Sequence, residues 1–162
     1  MPVKTTPYQW YASILRGEAP LFSDLDSNIT EEILWQTGLE NGVLALINHK
    51  LANSETLASL PQTFREQLHK VSLNAAATEL GQEHELKLAL SLFTEAGISY
   101  LLMKGTPLAY THYPQPYLRS RCDTDILFEN KNNAEKAFSF LDDQGYQRPN
   151  AVSGEFVSHE FS

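Results

Sequence analysis

From the N-terminus to Glu95, apolar residues recur at intervals of three and four, the spacing that gathers them on one face of a helix. Phe64, Leu68, Val71 and Ala75 make one such stripe, and Leu86, Leu90 and Phe93 carry an apolar face farther along. Pro61 belongs near the first turn of this long helix, where a missing N–H costs nothing, and Gly97 is placed to stop it. Upstream, Asn28-Ile29-Thr30-Glu31 fits a capping box ahead of Ile33, Leu34 and Trp35, and 41–51 predicts another short apolar helix. Gly81 interrupts the long pattern and is compatible with either a bend or a break.

The pattern changes character at Ile98. The run from Ile98 to Met103 is short and nearly all apolar, as expected of a strand covered on both faces. Thr106 to His112 predicts a short helix with Pro107 in its first turn, broken by Tyr113-Pro114-Gln115-Pro116. Asp125 to Phe128 is the second expected strand. Asn132 to Gln144 follows as a helix with Ala134, Ala137, Phe138 and Leu141 inward and Gly145 as its stop. Tyr146–Arg148 and Glu155–Phe161 predict a hairpin around Pro149-Asn150 and Ser153-Gly154. The chain ends inside that last expected strand, as a piece of a longer protein would. The elements together predict an α+β chain, helical over 1–95 and α/β over 96–162.

At 162 residues, with 42% hydrophobic and 20% charged residues, the chain has the make-up of a folded soluble domain, or of two small ones sharing a core. Its net charge of −8 argues against a nonspecific nucleic-acid binder, which needs Lys and Arg to replace phosphate counterions, and against a long nucleic-acid acceptor. A local basic site is left around Lys104, Arg119 and Arg121. The single Cys122 excludes an internal disulfide and a multi-cysteine zinc site, which suits a reducing compartment. No apolar run approaches the roughly 20 residues of a membrane span, and no signal peptide opens the chain. A cytoplasmic location without a membrane partner is expected.

The candidate chemistry lies between residues 103 and 128. Asp123 and Asp125 stand two apart at the mouth of a strand, where alternate residues share a face, so both carboxylates are expected to converge on one hard cation while Thr124 points away. The turn at Gly105, between a strand and a helix, offers backbone N–H groups to a phosphate. Lys104 is suited equally to a phosphate or to one of the carboxylates. Arg119 and Arg121 suit either a phosphate or the neutralisation of the aspartates. Cys122 is expected to be a small buried side chain, His112 and His159 to be structural or solvent-facing, and Tyr110, Tyr113 and Tyr117 to serve packing before base stacking. Together the parts suggest metal-assisted chemistry on a nucleoside triphosphate.

The order of strand, glycine turn, short helix and Asp-x-Asp strand resembles the nucleotidyltransferase superfamily of polymerase-beta-like enzymes. More closely, Leu101-Leu102-Met103-Lys104-Gly105-Thr106-Pro107-Leu108-Ala109, then Arg119 and Asp123-Thr124-Asp125-Ile126-Leu127, is similar to a bacterial family of uncharacterised nucleotidyltransferases. There a Leu-Lys-Gly motif precedes an Arg-x-x-x-Asp-x-Asp-Leu-Leu segment. The resemblance implies a minimal nucleotidyltransferase α/β core with a mixed sheet, cut short by the end of the chain. It implies that Gly105 and Thr106 occupy the Gly-Ser position that holds the triphosphate, with Lys104 and Arg119 also on the nucleotide. It implies that Asp123 and Asp125 are the catalytic ligands of Mg2+ or Mn2+. The implied reaction moves a nucleoside monophosphate from a triphosphate, ATP by default, to a hydroxyl acceptor, with release of pyrophosphate. Two departures stand out. The stretch between Thr106 and Asp123 is longer than the superfamily pattern, with Tyr113 to Tyr117 as the insertion. The usual third carboxylate has only Glu155 and Glu160 to supply it. The alternative is therefore a non-catalytic nucleotide-binding or protein-interaction module with the same fold.

Overall fold

Local caps decide where the helices begin. In the computed structural model, which describes residues 5–147, α1 (Pro7–Leu15) opens on a reciprocal capping box: the Gln9 N–H donates to the Thr6 hydroxyl and the Thr6 N–H to the Gln9 side chain. Helix α2 (Glu31–Glu40) is capped by Thr30, whose hydroxyl accepts from the Ile33 N–H at 3.2 Å. The capping box expected at Asn28 does not form: the helix starts two residues later with Thr30 as a simple N-cap, and Ile33 at the third helical position has no polar side chain to complete a box. The Asn28 N–H is instead taken up by the Asp26 carboxylate, and extended Thr30 offers the better-placed oxygen. Helix α3 (Leu44–Leu51) starts three residues later than the pattern predicts. Asn41 closes α2 through a bond from its amide to the Thr37 carbonyl, and Gly42, at φ +61°, turns the chain. A short α4 (Glu55–Ser59) precedes α5 (Gln62–Glu95).

Helix α5 runs unbroken for 34 residues, through Gly81. It ends where expected: the N–H groups of Gly97 and Ile98 fold back onto the carbonyls of Thr94 and Phe93. That double closure needs the left-handed φ of +66° at Gly97.

The described residues form two compact units, 5–79 with 112–120 and 80–111 with 121–147. In the first, Trp10, Ile14, Leu34, Ile47, Leu51, Phe64 and Leu68 are buried together, so Phe64 and Leu68 of the predicted α5 stripe meet α1–α3 there, with Val71 partly buried against them and Ala75 outside the cluster. The expected insertion belongs to this unit. It forms a 3-10 turn, Pro116–Leu118, that lies against α3 with Leu118 buried. The longer gap between the two motif segments is therefore used to anchor the chain in the helical core.

The second unit holds β1 (Tyr100–Met103), α6 (Gly105–His112), β2 (Asp125–Phe128) and α7 (Lys131–Asp143). The strands pair antiparallel, with Tyr100 opposite Phe128 and Met103 opposite Asp125. Tyr100, Ile126 and Phe128 pack with Phe93 of α5, Ile98 and Ala137 of α7. The expectation of a sheet covered on both faces is corrected here. Leu101 and Leu127, directly opposite one another, are 58% and 44% exposed, because α5 and α7 both pack against the other side of the pleat. The mixed sheet is likewise, among the described residues, an antiparallel pair. In α7 the inward stripe is Ala137 and Leu141, and Phe138, one position round the helix, is exposed instead of buried. The predicted hairpin lies outside the described residues from Arg148 onward. No described helix is long and apolar enough to cross a membrane.

Candidate active site

Strand β1 delivers the chain to Lys104, which adopts φ +54°, a left-handed conformation uncommon outside glycine and costing roughly 1–2 kcal/mol. This turn lets Gly105 open α6 directly after the strand. Because Met103 sits opposite Asp125, Lys104 comes beside the start of β2, and its Nζ donates to Asp125 Oδ1 at 3.0 Å. Asp125 is only 9% exposed. Burying a carboxylate is costly unless a donor or cation compensates it, and the Lys104 ammonium does so here. The lysine side chain is more than half exposed, so solvent screens the pair, and its net contribution is at most about 1 kcal/mol.

The two aspartates are not equivalent. Asp125 is the first residue of β2, whereas Asp123 precedes the strand and is exposed. Among the described residues no group of three or more His, Cys, Asp or Glu side chains is placed to hold a metal. Glu155 and Glu160 lie outside them. Two carboxylates still suit Mg2+ or Mn2+, which are held by one or two carboxylates once substrate phosphates complete the coordination.

Thr106 is buried, and its hydroxyl bonds that of Thr124 at 3.3 Å. Arg121 adds to this tie: Nη1 donates to the Thr124 hydroxyl at 3.2 Å and Nη2 to the Tyr110 hydroxyl at 3.3 Å, with the guanidinium 5.6 Å from the Tyr110 ring centre. The Arg121 carbonyl accepts from the Gln82 side chain of α5. Thr124, Tyr110 and Arg121 thus join α6 to the lead-in of β2. The sequence pattern sets Thr124 facing away from the carboxylates and Tyr110 to packing before base stacking, so neither hydroxyl bond is expected from it. Hydroxyls 18 residues apart carry no periodic signal, and only the turn at Lys104 brings Thr106 and Thr124 together. Arg119 ends the 3-10 turn and belongs to the first unit, while Arg121 belongs with Thr106 and Asp125. Cys122 is exposed, contrary to the expectation of a small buried side chain, because the segment before β2 lies outside the core. His112 is exposed as expected.

A concavity of the same unit, lined by residues that include Glu85, Leu88, Leu92, Glu95 and Tyr146, contains none of these residues. There the Tyr146 hydroxyl bonds Glu85, and the neighbouring carboxylate raises the phenol's pKa above its ordinary value.

A family model described as uncharacterised nucleotidyltransferase matches residues 27–160, and so covers both motif segments and most of the helical region. No curated protein and no solved structure matches the chain.

Proposed function

Since the chain belongs to the uncharacterised nucleotidyltransferase family, we propose that it transfers a nucleoside monophosphate from a nucleoside triphosphate to a hydroxyl acceptor, releasing pyrophosphate, at the Lys104–Thr106 turn and the Asp123/Asp125 segment. The observation that carries this reading is the 3.0 Å contact between Lys104 and Asp125, which joins two motif segments 21 residues apart in the chain.

Gly105 and Thr106 offer backbone N–H groups at the N-terminal end of α6, where the helix dipole favours an anion. Gly105 has no side chain to hold a phosphate away from the backbone. Thr106, whose hydroxyl is bonded to Thr124, contributes its N–H while its side chain fixes the turn. Lys104, beside the Gly105 turn, supplies positive charge for the nucleotide. Asp123 and Asp125 hold the divalent cation, Mg2+ or Mn2+. Such a cation would lower the pKa of the attacking hydroxyl and stabilise the leaving pyrophosphate. The second reading is a nucleotide-binding module without turnover, in keeping with the two carboxylates of this segment among the described residues.

Calorimetric titration of ATP with Mg2+ or Mn2+ into the wild type and into Asp123→Asn/Asp125→Asn tests both. Metal-dependent binding that weakens at least about tenfold in the variant, about 1.4 kcal/mol, supports the site. Binding to the wild type that ignores the metal and the substitutions refutes it. Nucleotide bound without any pyrophosphate release, over a panel of hydroxyl acceptors, selects the module.

A further inference from the structure

We propose that Thr124 is a positioning residue of this site: its hydroxyl holds the phosphate-binding turn and the acidic segment as one piece, so that nucleotide affinity depends on the side chain that stands between the two aspartates. This inference rests on the nucleotidyltransferase reading and deepens it.

Thr124 is joined by peptide bonds to both Asp123 and Asp125, so whatever fixes its side chain also limits the backbone that carries the two carboxylates. The Thr106 hydroxyl donates to Thr124 Oγ1 at 3.3 Å, and Arg121 Nη1 donates to the same oxygen at 3.2 Å. A threonine hydroxyl accepts two hydrogen bonds, and its branched Cβ allows few rotamers, so these bonds together specify one orientation. Thr106 is only 1% exposed and is the second residue of α6, so its hydroxyl has no access to water as a substitute partner. The backbone N–H groups at the start of α6 are therefore tied to the acidic segment through this pair of hydroxyls. Arg121 closes the same tie one helical turn farther along, where Nη2 donates to the Tyr110 hydroxyl. Stability alone does not call for hydroxyls at this junction. Replacing both members of such a pair by apolar groups of the same shape can be nearly neutral, whereas a hydrogen bond sets a direction and a distance that apolar contact leaves loose. Hydroxyls on both sides of the junction thus point to geometry as what they serve.

The test separates positioning from bulk stability. ATP with Mg2+ is titrated calorimetrically into the wild type, Thr124→Ser, Thr124→Val and Thr106→Val/Thr124→Val, and each protein is also melted thermally. Thr124→Val leaves the buried Thr106 hydroxyl without its acceptor, so it is expected to melt lower. It is also expected to bind Mg2+–ATP about tenfold more weakly, the usual scale when a group that orients a binding residue is lost. Thr124→Ser keeps the oxygen and is expected to bind within about twofold of the wild type. The double variant sets two apolar groups against each other. It is expected to melt higher than Thr124→Val while binding no more tightly, because packing is restored and the directed bond is not. If Thr124→Val does not fold, the double variant measured against Thr124→Ser serves the same comparison. The proposal is overturned if loss of the Thr124 oxygen leaves affinity unchanged, if Thr124→Ser weakens binding as much as valine does, or if affinity returns together with stability in the double variant. Wild-type protein that binds no Mg2+–ATP overturns the nucleotidyltransferase reading and this role with it. Wild-type binding that is unaltered in the valine variants overturns the positioning role alone.

Discussion

Tyr11 is a polar group placed inside an apolar core, and its surroundings make its ionisation a stability switch. Its hydroxyl donates to the Leu34 carbonyl at 2.8 Å, and burial pushes its pKa well above the ordinary tyrosine value of 10.0. The folded state therefore keeps the proton at pH values where the unfolded chain loses it. Stability is intact below about pH 10 and falls as the pH climbs above it, by up to about 1.4 kcal/mol per pH unit. Tyr11→Phe loses the hydrogen bond, at about 1 kcal/mol near neutrality. It also removes this alkaline loss, so the two proteins converge in stability as the pH rises. Urea unfolding at pH 7 and above pH 10 measures both effects; a wild-type stability that is flat across that range would contradict the argument.

At the scale of elements, two glycines inside helices predict opposite outcomes for the same substitution. Alanine is favoured over glycine in a helix interior by about 1 kcal/mol. At Gly81 in α5, an added Cβ meets nothing within 4 Å, so Gly81→Ala is expected to raise the melting temperature. At Gly38 in α2, the new Cβ would overlap a methyl of Leu44 and come within 2.6 Å of the Tyr11 hydroxyl oxygen, both groups of the first core. Overpacking typically costs about 1–3 kcal/mol, so Gly38→Ala is expected to be destabilising despite its better propensity. Thermal melts of the two variants should move in opposite directions. Gly81 is also where pattern reading stopped short of deciding between a bend and a break. A lone glycine lowers helix propensity without ending a helix that tertiary packing supports on both sides, at Phe64 and Leu68 and again at Phe93.

For the molecule as a whole, charge sets the class of partner. At net −8 the chain repels a polyanion, and it has no run of basic residues to overcome that repulsion. Labelled duplex DNA at micromolar concentration and about 0.15 M salt is expected not to bind, nor to displace Mn2+–ATP. Salt-sensitive binding seen by fluorescence anisotropy would reopen a nucleic-acid acceptor. The same scale explains the chain's order of elements. The segment between the motif halves leaves one unit, seats Leu118 in the core of the other, and returns at Arg121.

What the sequence determined by itself is what neighbours along the chain decide. The stripe of Phe64 and Leu68, the stop at Gly97, β2 from Asp125 to Phe128, and the acidic pair behind a glycine turn are written in spacing, capping chemistry and backbone freedom, all of which act over a few residues. Tertiary structure decided which distant groups meet. It chose Asp125 for Lys104, bonded Thr106 to Thr124, brought Arg121 rather than Arg119 into the unit of the aspartates, and left Leu101 and Leu127 uncovered. Those outcomes depend on the strand register and on which side of a two-stranded sheet the helices pack. Neither is encoded in local periodicity, because the same alternation of side chains serves either face equally well.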